Sequence, residues 1–134
     1  MTCASWRFSW LILVGPALAA CAMGAASSAD TSRYLVYFDE FSANLSPVAT
    51  AVVADAAKRA RESGARAIVV EARASATGTA QTNRKLAETR SSIVADQLQA
   101  DGIARAMIQQ VPIGQTGSND PSVAERRVDI IIEP

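Results

Sequence analysis

The sequence contains no histidine, and its two cysteines, Cys3 and Cys21, both lie near the N-terminus of a 134-residue chain. Without histidine the commonest general base and the commonest metal ligand are missing together. With no cysteine beyond position 21, the rest of the chain has no disulfide framework to lean on. Aromatic residues are scarce, at 5%. No single sign of charge dominates, because 13 basic residues face 13 acidic ones and the formal net charge is zero. That balance gives no electrostatic case for nucleic acid as a partner. The carboxylates are scattered and form no metal-ligand cluster, and no lysine stands in a nucleophile motif with a serine such as Ser75. The expectation is a non-enzymatic chain of one domain, without cofactor or metal.

The first thirty residues differ from the remainder of the chain. Arg7 is the only charge before Asp30. Phe8 to Leu18 is an apolar run, shorter than the roughly 20 residues a membrane span needs but suited to the apolar part of a signal peptide. Leu18-Ala19-Ala20-Cys21 resembles the lipobox of bacterial lipoproteins. That resemblance implies a signal over residues 1–20, acylation of the Cys21 thiol and a lipid anchor. Ala22 after the cysteine, rather than aspartate, implies sorting to the outer membrane. The alternative is an ordinary secretory signal cut within the alanine-rich stretch. Residues 21–32 are small and polar and read as a flexible tether, leaving residues 33–134 as the folded unit.

Within that unit, Tyr34 to Phe38 has the aromatic and β-branched character of a strand. Ser46-Pro47 is a helix start, with serine as N-cap and proline in the first turn. Val48, Val52, Ala56 and Ala60 recur at four-residue spacing, joined by Val53 and Ala57, and Gly64 ends the helix. Arg66 to Ala74 predicts a second strand, with Ile68, Val70, Ala72 and Ala74 on one face and Val69, Glu71 and Arg73 on the other. A second helix is expected over 81–101, closed by Gly102. A third strand is expected over 107–113, where Pro112 marks an edge or an end. A polar loop over 114–121 and a fourth strand over 123–132 complete the order β-α-β-α-β-β. This predicts an α/β (α+β) two-layer sandwich with two helices on one face of a mixed four-stranded sheet.

The second helix carries the candidate site. Arg90 lies midway between Leu86 and Val94 at four-residue steps, so it stands on or beside the apolar stripe. An arginine there needs an acceptor. Asn83 is seven residues earlier on the same face, and Gly78 sits in the turn leading into the helix. The cluster falls near the C-terminal end of the second strand, where ligands of α/β sheets commonly sit. Spacing leaves two readings open. One is a ligand site; the other is a structural Arg90 paired with a carboxylate, with Asn83 bonding the loop backbone. Alternation also puts Arg73 on the face of Ser75, with Glu71 placed to neutralise it. Arg126 and Arg127 read as alternating strand residues with solvent or carboxylate partners.

The stretch from Ala72 to Ser91 resembles the signature of the OmpA-like family, G-H-T-D-x-x-G-x-x-x-x-N-x-x-L-S-x-x-R-A, with Gly78, Asn83, Leu86 and Arg90 at matching positions. Tyr37-Phe38-Asp39 with Leu45 resembles the family's opening strand and turn. Glu125 to Ile130 resembles its closing N-R-R-V-E-I strand. The family binds peptidoglycan through meso-diaminopimelate of the stem peptide, whose free end carries an ammonium and a carboxylate. The resemblance implies a ligand site of Asp39, Ser75, Asn83 and Arg90, with the Arg90 fork on the carboxylate. It also implies a domain in the periplasm, tied to the outer membrane through Cys21, with peptidoglycan and envelope proteins as partners. One departure stands out. The family's ammonium-binding aspartate falls on Ser75, and the preceding H-T pair falls on Arg73-Ala74. A hydroxyl in place of a carboxylate brings no charge. A second expectation is therefore a degenerate domain that keeps the fold as a structural or protein-interaction module without the ligand.

Overall fold

A computed structural model describes residues 31–116 and 123–134. The signal over 1–20, Cys21, nearly all of the tether and the centre of the polar loop lie outside these described residues. Among the described residues no helix is long and apolar enough to cross a membrane.

The elements run β1 (Ser32–Tyr37), α1 (Pro47–Ser63), β2 (Ala67–Ala74), α2 (Ala80–Ala100), β3 (Ile108–Gln115) and β4 (Arg127–Glu133). Single 3-10 turns at Arg105–Met107 and Val123–Glu125 precede β3 and β4. The sheet order is β1-β4-β2-β3. β4 runs antiparallel to both of its neighbours, and β2 runs parallel to β3. The architecture is the expected mixed sheet with two helices packed on one side: α1 against β1 and β4, α2 mainly against β2 and β3.

Local chemistry explains the helix ends. The Ser46 hydroxyl accepts from the Ala49 N–H at 3.1 Å and Pro47 opens α1, while Gly64 closes it in the left-handed region at φ 65°, where a side chain would be strained. Thr79 caps α2 by accepting from the Thr82 N–H at 3.2 Å. The inner face of the sheet is the expected alternation: Ile68, Val70, Ala72 and Ala74 of β2 and Val128, Ile130 and Ile132 of β4 are buried. The helices meet it largely through alanine, with Ala49, Ala56, Ala57 and Ala60 from α1 and Ala87 and Ala95 from α2.

Three expectations need correction. Val48 is not on the buried stripe of α1 but 75% exposed; the stripe is Ala49, Val53, Ala56, Ala57 and Ala60. Small side chains there let the helix approach the sheet, and the first-turn valine is turned outward. The third strand starts at Ile108 and continues past Pro112 to Gln115, because a register slip absorbs the proline: Ala72 pairs with Pro112 and Arg73 with Gly114. β3 is an edge, as Pro112 suggested. The fourth strand begins only at Arg127, since Val123–Glu125 is wound into a turn closed by the Arg126 N–H on the Val123 carbonyl at 3.0 Å.

Candidate functional site

The strand directions bring the ends of β1, β2 and β3, the start of β4 and the N-termini of both helices to one end of the sandwich. Arg90, at the middle of α2, reaches toward this end with its side chain. It is 0% exposed and is the largest fully buried side chain among the described residues. Its Nε donates to the Ser42 carbonyl at 2.8 Å, Nη1 to the Arg73 carbonyl at 3.2 Å and Nη2 to the Asp39 carbonyl at 2.9 Å. The guanidinium carbon sits 5.0 Å from the centre of the buried Phe38 ring. One side chain on α2 thus ties the β1–α1 loop to the end of β2.

All three acceptors are neutral backbone oxygens. Among the described residues no carboxylate stands within ion-pair distance of Arg90, so the structural reading with an acid partner does not describe what is found. Burial, and then the field of Arg126, lowers the Arg90 pKa to about 10. It remains a cation at neutral pH. Each terminal nitrogen retains a second N–H beyond the one already donated.

Asn83 is 2% exposed, two turns earlier on the same face of α2. Its Nδ2 has no hydrogen-bond partner among the described residues. Its Oδ1 faces the turn at Gly78, where an added Cβ would lie 3.9 Å from it and φ is 98°. A buried amide donor without a partner costs about 1–3 kcal/mol, so this is a place where an acceptor would be favourable.

Ser75 is 7% exposed and follows the last residue of β2. It lies two residues after the carbonyl that Arg90 Nη1 contacts. The expected sharing of a face by Ser75 and Arg73 does not extend to it, because alternation stops where the strand stops. The Arg73 side chain instead lies across the uncovered face of the sheet, with Nη2 3.5 Å from Glu71 and Nη1 3.6 Å from Asp129. Glu71 does partner Arg73. Asp39 reaches the cluster through its main-chain oxygen, and the residue itself is exposed.

Four participants were not foreseen. Phe38 underlies the guanidinium, Ser42 supplies a carbonyl, and Arg126 adds a second cation. Phe41, in the loop that Arg90 clamps, is 66% exposed with φ 54°, a left-handed conformation unusual for a bulky residue. Backbone acceptors leave no mark in a sequence, and nothing in the residue type of Phe41 signals its conformation. Asp129 was also missed as a buried acid. It is 0% exposed on the uncovered sheet face, accepting from Arg127 Nε at 2.8 Å and Arg33 Nη1 at 3.2 Å. Two clefts of about 360 Å³ and 310 Å³ lie at the far end, around Asp96 and around Gly64 and Ile103, and touch none of these residues. No group of histidine, cysteine, aspartate and glutamate able to hold a metal occurs among the described residues.

Comparison with known proteins gives a consistent neighbourhood. The model of the OmpA family matches residues 37–127. Among solved structures, the peptidoglycan-associated lipoprotein from Burkholderia pseudomallei is 24% identical with a TM-score of 0.66, covering 75% of this chain and 90% of that one. The OmpA-like domain of FopA1 from Francisella tularensis subsp. tularensis SCHU S4 is 20% identical with a TM-score of 0.67, covering 75% and 71%. A periplasmic domain of Helicobacter pylori MotB is 18% identical with a TM-score of 0.65, covering 77% and 74%. No curated protein matches the sequence.

Proposed function

This chain belongs to the OmpA family, a family of non-catalytic modules, and from that premise we propose that its folded domain binds peptidoglycan non-covalently, through the diaminopimelate of the stem peptide. The observation that carries this reading is a fully buried guanidinium with no acid to balance it among the described residues. Such a charge is costly to bury alone. A ligand carboxylate would supply the missing anion. It would accept the second N–H of each terminal nitrogen, and the idle Asn83 Nδ2 adds a further buried donor at this end of the fold. Charge-assisted bonds of this kind contribute about 1.5–3 kcal/mol each. Arg90 and Asn83 are assigned the acidic end of the ligand, Ser75 its nitrogen, and the loop from Asp39 the adjoining wall.

The anchor is part of the same proposal. The Cys21 sulfur takes a diacylglycerol, residues 1–20 are removed, and the chain is held in the outer membrane with the domain in the periplasm. Burying each CH₂ contributes about 0.8 kcal/mol, so more than one acyl chain is needed for stable attachment. Labelled palmitate incorporated into the wild type and absent from Cys21→Ser is the expected result; label retained in C21S refutes the anchor.

A second reading has one observation in its favour. Every nitrogen of Arg90 already donates once to a carbonyl, so the side chain has a structural task whether or not a ligand binds. On that reading the domain is a structural or protein-interaction module. Retention of the full chain on insoluble sacculi decides between them. Retention by the wild type that Arg90→Lys reduces supports the cell-wall reading. A folded wild type that passes through, while Ser75→Asp is retained, supports the module.

A further inference from the structure

We propose that Phe41 is a sugar platform: its ring stacks on the C–H face of a neutral amino sugar of the glycan strand while the Arg90 end of the site holds the stem peptide. This rests on the cell-wall reading above and adds a second chemical class, carbohydrate, to what the domain reads.

Conformation, exposure and position meet at this residue. The Ser42 N–H donates to the Asp39 carbonyl at 3.2 Å, so residues 39–42 form a closed turn whose third residue is Phe41. Its φ of 54° is the conformation for which such turns use glycine or asparagine. A bulky side chain there works against folding. The ring returns little of that through packing, because Phe41 is 66% exposed whereas the nearby Phe38 is 4% exposed. Backbone strain of this kind gathers at functional sites. Arg90 grips the turn at both ends, with Nε on the Ser42 carbonyl at 2.8 Å and Nη2 on the Asp39 carbonyl at 2.9 Å. The turn is thus fixed before any ligand arrives, and little ordering is left to oppose binding. Through the Ser42 carbonyl, and with successive Cα atoms about 3.8 Å apart, the Phe41 Cα lies within about 9 Å of Arg90 Nε.

The loop around the ring selects the partner. Asp39, Glu40 and Asn44 are exposed in the same loop and carry carboxylate and amide groups, to which sugar hydroxyls and acetamido groups can bond. Two acids beside the ring disfavour an anionic membrane surface. A purely apolar partner would cover the ring and leave those carboxylates desolvated without donors. A pyranose meets both demands. Its C–H face suits the negative face of an aromatic ring, and its uncharged hydroxyls lie at the rim. The geometry of the polymer agrees. Two residues of the stem peptide separate diaminopimelate from the amino sugar, a span of about 10 Å when extended. A guest whose carboxylate is held by Arg90 therefore carries its sugar within reach of this turn.

The test is calorimetric titration of the detergent-solubilised full chain with two soluble ligands, a diaminopimelate-containing stem peptide and the same peptide still carrying its disaccharide. The wild type is expected to bind the disaccharide form about tenfold more tightly, which corresponds to covering about 60 Å² of apolar surface. Phe41→Asn, whose side chain tolerates the turn, is expected to cut that ratio to about twofold or less. Phe41→Trp, which keeps an aromatic face, is expected to preserve it. A wild-type ratio near one, or a ratio that does not move in folded F41N, overturns the proposal and leaves the cell-wall reading standing. Equal weakening of both ligands by F41N overturns it too, because the ring then supports the site without reading sugar. Binding of neither ligand by a folded wild type overturns the cell-wall reading and the platform with it.

Discussion

Replacing Arg90 by methionine tests how much of this fold hangs on one buried cation. Methionine keeps much of the volume and removes the charge and every donor. The carbonyls of Ser42, Arg73 and Asp39 then lose partners at 2.8, 3.2 and 2.9 Å. A buried acceptor left unsatisfied costs about 1–3 kcal/mol; the Asp39 carbonyl keeps the Ser42 N–H, so the other two set a ceiling of about 6 kcal/mol. Two effects lower that figure. Removing a desolvated charge is itself favourable, and water can reach carbonyls in a loop that opens. The net expectation is about 3–5 kcal/mol, comparable to breaking a buried charged network. That is a large share of the roughly 5–15 kcal/mol that holds a domain together. At about 4–8 °C per kcal/mol for a unit of this size, the midpoint of thermal unfolding, followed by far-UV circular dichroism, should fall by about 12 °C or more. Hydrogen exchange gives the local readout. The Ser42 N–H, which donates to the Asp39 carbonyl at 3.2 Å, should lose protection more than the amides of α1 and β4. A variant melting within about 3 °C of wild type, with the Ser42 amide still protected, would show that the loop holds itself and that the guanidinium is a passenger.

Other positions carry smaller stakes. Asp129→Asn leaves Arg127 and Arg73 with a neutral partner on the sheet face and is expected to cost about 3 kcal/mol in denaturant unfolding, whereas Arg33→Ala, removing a half-exposed partner of the same acid, costs less than about 1 kcal/mol. Phe41→Asn places a residue tolerant of the left-handed region at φ 54° and should raise stability by about 1 kcal/mol; a loss of stability would mean that the ring has packing value despite its exposure. Gly114→Ala brings a Cβ to 3.2 Å from the Arg84 Cα at φ 76°, and the midpoint of urea unfolding should drop by the equivalent of about 1–2 kcal/mol. Because Arg90 keeps its proton up to about pH 10 and the chain has no histidine, retention on sacculi should be level from about pH 6 to 9 and fall only as the guanidinium discharges above that; a step near pH 6.5 would assign the binding charge to some other group.

The parts of the fold legible in the sequence were those written in local chemistry. Ser46-Pro47 and Gly64 bracket α1 as expected, and the alternation of Ile68, Val70, Ala72 and Ala74 gave the buried face of β2 residue for residue. The features that depend on tertiary fit were misread. Val48 looked like core because it opens the four-residue series with Val52, Ala56 and Ala60, but close approach of helix to sheet selects the smaller Ala49 at the inward angle. Val123 to Glu125 has the composition of a strand and is wound into a turn before the sheet begins. At the site, the spacing of Gly78, Asn83 and Arg90 was visible and the partners of Arg90 were not. Its acceptors are main-chain oxygens, so the identities of Ser42, Arg73 and Asp39 are irrelevant to the contact, and Asp39 in particular supplies none of its acidity to it. The uncovered sheet face was half legible: the pairing of Arg73 with Glu71 comes from alternation, while the convergence on Asp129 needs β4 to lie between β1 and β2.

That a mostly alanine and valine core should hold an arginine as its largest fully buried side chain bears on how the site can work. Desolvating a guanidinium is the expensive step in most ion-pair recognition. Here folding has already taken it, with three carbonyl dipoles and an aromatic face as partial compensation. A carboxylate arriving at this end therefore meets a cation that has no hydration left to surrender and whose plane is fixed by bonds to two segments of the backbone. Its gain is closer to the full charge-assisted bond than a surface arginine could offer, and the guest's own desolvation is the main opposing cost. The same bonds set a limit. Because the Ser42 and Asp39 carbonyls belong to the β1–α1 loop and the Arg73 carbonyl to β2, any guest that tilts the guanidinium must move one of those segments, so on the proposed reading ligand affinity and loop order are coupled through a single side chain.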